Sequence, residues 1–511
     1  MASVSKVQVK WGQEKFDVDV DTAEDPLTFK GQLFALSGVA PDRQKIMLKG
    51  KTLSDESWNG FPIKDGCVLM LMGSADALPS APKKKTVFLE DMSEAQLARA
   101  LDIPAGLKNL GNTCYMNATL QCLKSVPELR QALRSYDGDV MASLQGRGGG
   151  GGEAVTAAVR DLYSMMERTS RSQAECIPLV MLQVLHTVFP RFNTKDEHGH
   201  QEQQDANECW VELVRMMQAS LFLPPPTEGA AAAAAERRDE LVTRFFGGRM
   251  SVRLTCAESE EEPATETTED FLQLSCFLSQ DVKYLHSGLK ARLSEELTKN
   301  SPALQRDAKY EKRSQISRLP AYLTVQMVRF YFKEKERVNA KILKDVKFPL
   351  SLDVFDLCDA QLQQKLMPMR AKFKEEDDRI AASKELSSEA QQGHQEKERL
   401  PFSFTDDPGS NNSGYYELQA VLTHKGRSSN SGHYVAWVKR AHNDWCMCDD
   451  DLVRHVTNED ILKLSGGGDW HVAYVLLYGP RVLEVEKKNE GEDTPIDSNG
   501  VAKHENSATN A

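Results

Sequence analysis

The chain has no CxxC pair, no apolar run long enough to cross a bilayer and no basic surplus. Each absence removes a class of function. Zinc sites are built from closely spaced pairs of Cys or His, and Cys446 and Cys448 have no second pair to join. They are expected to pack within a sheet, and no metal or cofactor is expected. A formal charge of −12 argues against a general nucleic-acid binder, which carries clustered basic residues. The 10 cysteines are scattered without framework spacing, which excludes a disulfide scaffold. With no visible signal peptide or transmembrane run, the chain reads as a reduced, cytoplasmic or nuclear protein that does not insert into membranes. No internal repeat is apparent. What is present is an ordinary composition, 40% hydrophobic and 27% charged over 511 residues, enough for two or three domains.

The chemistry-bearing stretch is LKNLGNTCYMNATLQCL, from Leu107 to Leu123. It sets Cys114 where a glycine-bearing turn runs into an apolar-periodic helix. Asn112 or Thr113 can cap that helix, and Met116, Leu120 and Leu123 form its apolar face. A thiol at a helix N-terminus faces unpaired N–H groups and the positive end of the macrodipole, the setting of nucleophilic cysteines. Upstream, Asn109 offers an amide N–H where an oxyanion donor could sit. The alternative is a buried thiol beneath a helix cap.

Residues 1–75 read as a small separate unit. Val4–Val9 and Phe16–Val20 alternate around a turn at Trp11–Glu14. Leu27, Leu33, Phe34 and Leu36 fall near helical spacing, and strands follow at Lys45–Leu48 and Val68–Met72. Ile46 and Leu48 point one way, whereas Lys45, Met47 and Lys49 point the other and could form a binding face. Residues 76–103 read as a flexible linker, 104–480 as the main domain and 481–511 as a disordered tail. Flexible insertions are expected near 146–152, 224–238, 258–270 and 365–399, the last being either disordered or a solvated helix. Helices at Ala154–Met166, Ile177–Phe189 and Asp205–Leu221 precede strands at Tyr322–Phe332, Tyr415–His424, Tyr434–Lys439 and Trp470–Tyr478. Helices first and strands later make an α+β fold, with a cleft between a helical lobe and a sheet lobe.

A cysteine nucleophile needs a histidine in reach and a third group to orient it. Of the strand-associated histidines, His424, His433 and His471, the setting SNSGHYVAWVKR favours His433. With a hairpin turn at Arg440–Asp444, its cross-strand partner falls among Asp449, Asp450 and Asp451. A carboxylate there can accept the imidazole N–H and fix its tautomer. His198 and His200 read as a solvated loop.

The stretches GLKNLGNTCYMNATLQCL, QQDANE, LTVQMVRF, GHYVAWV and DWCMCDDDLV, in that order, resemble the motif boxes of the ubiquitin-specific proteases. The order of elements in residues 1–75, with PDRQKIMLKGKTL, resembles a ubiquitin-like domain of the β-grasp fold. It lacks a terminal Gly-Gly, so it resembles a docking module rather than a conjugated modifier. The resemblance implies a papain-like core of fingers, palm and thumb that hydrolyses isopeptide bonds after the C-terminal glycine of ubiquitin. It implies Cys114 as nucleophile, His433 as general base, Asp449 as third member and Asn109 as oxyanion donor. Gln203, Asp205 and Glu208 match the box lining the channel for ubiquitin's tail, with Tyr434 beside them. Asp205 could hold a tail arginine, cap the helix it precedes, or do both. The departures are the missing CxxC pairs, which many members use to bind zinc, and CDDD where the family often has an aromatic before the first Asp. The second leaves Asp449 and Asp450 both open as the third member. The combination with a ubiquitin-like unit resembles the proteasome-associated branch. That implies ubiquitin, polyubiquitinated proteins and the 26S proteasome regulatory particle as partners. Ser428, Ser429, Asn430 and Ser431, before Gly432 and His433, read as a polar loop able to cover the cleft and regulate it. The competing function is a catalytically silent ubiquitin-binding adaptor.

Overall fold

The computed structural model describes residues 4–74, 103–145, 150–172, 175–223, 239–333, 338–386, 397–428, 431–468 and 470–486. The chain divides into two compact units, Met1–Met92 and Ser93–Ala511.

In the first unit, strands β1 (Val4–Trp11) and β2 (Glu14–Asp21) form a hairpin. Helix α1 (Pro26–Ser37) follows, capped by Asp25, which accepts from Leu27 N at 3.0 Å, and closed by Gly38 at φ +69°. Strands β3 (Lys45–Leu48), β4 (Lys51–Thr52) and β5 (Val68–Met72) complete a sheet of order β2-β1-β5-β3-β4, with β5 parallel to β1. This is the β-grasp arrangement. The helix does not face inward as its apolar spacing suggests. Leu27, Phe34 and Leu36 are exposed, whereas Phe29, Leu33 and Lys30 are buried. Lys30 takes an inward position because its ammonium donates to Pro41 O and Gln44 O and pairs with Asp55. On β3, Ile46 and Leu48 are buried, Lys45 is exposed and Met47 is half-buried, as alternation requires.

The second unit begins with a helical lobe: α2 (Cys114–Leu123), α3 (Pro127–Ser135), α4 (Val140–Leu144), α5 (Gly151–Ser172), α6 (Leu179–Val188), α7 (Ala206–Ser220) and α8 (Leu241–Phe246). Every residue of α2 is buried, so this helix runs through the core rather than along its edge. A four-stranded sheet, β7-β6-β10-β9, comprises β6 (Gly248–Cys256), β7 (Thr265–Phe271), β9 (Ser294–Ser301) and β10 (Arg306–Arg318). Strand β8 (Leu274–Phe277) and helix α9 (Leu285–Arg292) lie between these in sequence. The remaining strands are β11 (Leu323–Val328), β12 (Phe330–Lys333), β13 (Val338–Lys341), β14 (Ser351–Asp353) and, beyond helix α10 (Ala360–Leu386), β15 (Lys397–Arg399). Then come β16 (Tyr415–Ser428), β17 (Ser431–Ala441), β18 (Asp444–Asp449), β19 (Leu452–Val456), helix α11 (Asn458–Leu462), β20 (Val472–Pro480) and β21 (Glu484–Glu486).

The central sheet runs β19-β18-β17-β16-β20-β11-β8, with β14 on β16. Both its faces are covered. Tyr434 and Ala436 of β17 pack with the helical lobe, and Val435 and Trp437 pack into a second core on the other side. That is why β20 reads as an almost unbroken apolar run.

Several expected insertions are ordered. The acidic run 258–270 ends in β7, paired with β6, and its carboxylates brace the opposite hairpin. Glu258 accepts from Lys309 N at 2.8 Å, and Glu262 accepts from Tyr310 Oη at 2.7 Å. Gly151 and Gly152 begin α5. Most of the 365–399 stretch is the solvated helix α10, anchored by buried Leu366 and Phe373 and by Arg370, paired with Asp353 at 2.7 Å. The expected tail at 481–511 starts as β21, paired with β15 over a buried Leu483. Of the expected linker at 76–103, residues 76–102 lie outside the described residues, as do the segments 146–149, 224–238, 387–396 and 487–511. Among the described residues no helix is long and apolar enough to cross a membrane.

Candidate active site

Cys114 is the first residue of α2 and is 2% exposed. No side chain caps this helix, contrary to the expectation for Asn112 or Thr113. Asn112 sits at φ +53° and its amide donates to Gln201 O at 2.8 Å, while the Thr113 hydroxyl accepts from Leu110 N at 2.9 Å. The helix therefore begins without a side-chain cap, and Cys114 sits in its first turn, at the positive end of the dipole.

His433 lies within β17, opposite Lys425 on β16. Beside it the hairpin bulges, and Gly426 and Gly432 adopt φ +128° and +137°. A Cβ on Gly432 would lie 2.5 Å from His424 Nε2, so only glycine fits there. The β17–β18 pairing ends at Ala436 opposite Cys448, and the Asp449 carboxylate then reaches His433 Nε2 at 2.5 Å. Hydrogen bonding of the ring N–H groups to the Asp449 carboxylate and to the Cys114 sulfur raises the His433 pKa to about 10. With Nε2 on Asp449, Nδ1 is the nitrogen left for the sulfur. At neutral pH the ring is an imidazolium between a carboxylate and a sulfur. Asp449 is correspondingly lowered by His433. Burial instead lowers His424 to about 3 and His471 to about 4. Of the three strand histidines, only His433 is built to hold a proton.

Asn109 Nδ2 donates to Asp450 Oδ2 at 2.8 Å, and its Oδ1 accepts from Gly111 N at 2.9 Å. Asp450 also accepts from Asn117 Nδ2 at 2.8 Å and stands 3.9 Å from His433 Nε2. His433, Asp449 and Asp450 gather a nitrogen and two oxygens within 4.8 Å of one another. Those oxygens are already engaged by the imidazole and the two asparagine amides, so the cluster is satisfied internally and does not need a metal.

A cysteine, an imidazolium and a carboxylate in line, preceded by a β-grasp unit, match known families over nearly the whole chain. Residues 105–478 match the family described as ubiquitin carboxyl-terminal hydrolase, and residues 6–76 match the ubiquitin family. The chain belongs to the ubiquitin carboxyl-terminal hydrolase family. It is 41% identical to Ubiquitin carboxyl-terminal hydrolase 7 of Arabidopsis thaliana, over 94% of this chain and 99% of that one. It is 40% identical to Ubiquitin carboxyl-terminal hydrolase 14 of Caenorhabditis elegans, over 94% of each chain. It is 35% identical to Ubiquitin carboxyl-terminal hydrolase 6 of Schizosaccharomyces pombe, over 92% of this chain and 98% of that one. This hydrolase is a cysteine-type deubiquitinase with an N-terminal ubiquitin-like domain. In the family's terms the helical lobe is the thumb, the central sheet the palm and β7-β6-β10-β9 the fingers.

The other expected site residues of the hydrolase fall at the start of α7. Asp205 is its N-cap: Oδ1 accepts from Asn207 N at 2.7 Å and Glu208 N at 3.1 Å, and Oδ2 accepts from Tyr474 Oη at 2.7 Å. Burial raises its pKa, and these donors oppose the rise. The carboxylate is thus occupied within the protein, which realises the capping alternative. Glu208, one turn on, is exposed. Gln203 Nε2 is buried without a partner among the described residues. Tyr434 is buried, its ring centroid 4.7 Å from that of His424. The expected polar loop falls in the β16–β17 hairpin. Ser428 and Ser431 pair as the last rung of the β16–β17 hairpin, because both strands continue past the glycine bulge. Ser429 and Asn430 lie outside the described residues. Sequence reasoning missed Tyr474 and Asn117. The first carries no local signal, and the second is visible only as a polar residue inside an otherwise buried helix.

Proposed function

We propose that this hydrolase cleaves isopeptide bonds after the C-terminal glycine of ubiquitin, with Cys114 as nucleophile, His433 as its proton partner and Asp449 orienting the imidazole. The observation that carries this reading is the His433 ring held by the Asp449 carboxylate at 2.5 Å, with the Cys114 sulfur as the second group that raises its pKa. The sulfur attacks the glycine carbonyl carbon, and the carbonyl electron pair moves onto oxygen. The Cys114 N–H and the second N–H of Asn109 stabilise that oxyanion. As it collapses, the C–N bond breaks and the imidazolium gives its proton to the leaving lysine amine, leaving a thioester. Water, deprotonated by the now neutral His433, then attacks the thioester and releases the thiolate. Gln203, Asp205, Glu208 and Tyr434 would line the channel for the ubiquitin tail. Glu208 supplies the exposed carboxylate for a tail arginine, and Asp205 holds the channel wall.

The reading extends to trimming ubiquitin chains on proteasome-bound substrates in the cytoplasm, with the ubiquitin-like domain docking on the 26S regulatory particle. Its outer sheet face supports this. Met70 and Met72 are exposed beside Met47, between Lys45 and Lys49, and such adaptable apolar surface suits a docking site. A ubiquitin probe with an electrophilic C-terminus tests the chemistry: the adduct should form on Cys114 and vanish in Cys114→Ala, and an adduct on another cysteine refutes the assignment. Deleting residues 1–75 should abolish co-purification with proteasomes while leaving probe capture intact. Full co-purification of the truncated chain refutes the docking role.

A further inference from the structure

Two consecutive aspartates, Asp449 and Asp450, stand beside His433, and their geometries differ. Asp449 contacts the imidazole at 2.5 Å, whereas Asp450 stays 3.9 Å away. The Asp450 side chain is 9% exposed, and both its oxygens are engaged, Oδ1 by Asn117 Nδ2 and Oδ2 by Asn109 Nδ2, each at 2.8 Å. Its carbonyl accepts from Leu107 N at 2.8 Å. A backbone φ of +53° at Asp450 turns the two neighbouring carboxylates toward different targets.

The tie to Asn109 has a directional consequence. At the carbonyl end, Asn109 Oδ1 accepts from Gly111 N at 2.9 Å and Thr113 N at 3.2 Å, within the turn that leads into Cys114. At the nitrogen end one N–H goes to Asp450. An amide flipped by half a turn would set its oxygen against a carboxylate and its N–H groups against two backbone N–H donors. Only one orientation survives, and it leaves one N–H direction for a ligand. Burial raises the Asp450 pKa, and the two amides counter that rise, so they favour its charged, acceptor-only form.

We propose that Asp450 is the positioning residue of the oxyanion donor: it fixes the Asn109 amide while Asp449 serves the imidazole, so the two aspartates support separate halves of the reaction. Asn117 completes the device by fastening the same carboxylate to α2, which carries Cys114. The inference rests on the reading of Cys114 as nucleophile and Asn109 as oxyanion donor.

The test compares Asp450→Asn, Asn109→Ala, their double variant and Asp449→Asn in the full chain. Asparagine tolerates the positive φ but presents an NH₂ group to one of the two amides. Hydrolysis of a ubiquitin C-terminal reporter gives kcat and KM, and iodoacetamide alkylation of Cys114 across pH reports the thiol–imidazole pair without using an oxyanion site. Asp450→Asn should lower kcat by up to about 100-fold, the lower end of the range for losing one oxyanion donor outright, because the Asn109 amide is misdirected rather than removed. KM and the alkylation profile should be unchanged, whereas Asp449→Asn should shift that profile. The double variant should be no slower than Asn109→Ala alone, since both act through one amide. Multiplying effects, or an Asp450→Asn profile shifted like that of Asp449→Asn, overturn the proposal. An Asn109→Ala enzyme with undiminished kcat overturns the oxyanion reading itself, and this proposal with it. If Asp450→Asn does not melt cooperatively, Asp450→Ser is judged by the same two criteria.

Discussion

The phenolic hydroxyl of Tyr474 donates to the Asp205 carboxylate at 2.7 Å, joining β20 to the first turn of α7. From there the polar contacts continue. Gln273 Nε2 donates to Asn207 Oδ1 at 2.9 Å and to Gln326 Oε1 at 3.3 Å. Thumb and palm are thus linked by hydrogen bonds as well as by apolar packing. Tyr474→Phe removes one donor from a buried carboxylate and should cost about 1–3 kcal/mol of stability. Because Asp205 also sets the start of α7, KM for ubiquitin substrates should rise more than kcat falls. Urea unfolding and steady-state kinetics check both, and an unchanged midpoint would show that the bond contributes nothing.

Cys114→Ala should abolish hydrolysis and leave ubiquitin affinity nearly unchanged. The lost sulfur is buried within the protein, and the contact it offers a ligand is worth under about 1 kcal/mol, or roughly fivefold in Kd. Calorimetric titration with ubiquitin measures this. Residual turnover above background would place the nucleophile elsewhere.

The raised pKa of His433 makes stability depend on pH. Its folded value, about 10, lies above the ordinary value of 6.5, so the protonated ring is bound more tightly in the folded state. That contribution is fully present below pH 6.5 and is lost as pH rises through about 10. The melting temperature of the wild type minus that of His433→Gln should be largest near pH 6 and shrink steadily toward pH 10. A difference that grows with pH would mean the ring is not held as an imidazolium.

Arg329 is fully buried, and its guanidinium donates to four carbonyls: Ala473 O at 2.7 Å, Ile342 O at 3.0 Å, and Lys344 O and Ser465 O at 2.9 Å each. Burial lowers its pKa to about 10. Arg329→Met leaves all four acceptors without this partner and should cost more than about 3 kcal/mol. Arg329→Lys should recover only part of that, because one ammonium cannot reach acceptors spread around a planar fork. Denaturant midpoints of the two variants decide the matter.

Local patterns determined much of this protein. Alternation along Lys45–Leu48 sorted buried from outer residues, and a turn followed by an apolar helix set Cys114 at the start of α2. The hairpin arithmetic brought His433 within reach of the aspartate run because strand register is a local, countable property. Counting could not choose between Asp449 and Asp450. That depends on where the β17–β18 pairing ends and on the left-handed turn at Asp450, which sends one carboxylate to His433 and the other to two asparagines. Tertiary structure also overruled composition. The acidic run at 258–270 became a paired strand with bracing carboxylates, and Lys30 took an inward place on α1. Charge reads as solvent-facing only until backbone acceptors from distant segments converge on it. The Tyr474–Asp205 bond and the Arg329 clamp are of that kind. Their partners meet only when the sheet closes on the helices, and no stretch of sequence carries their signature.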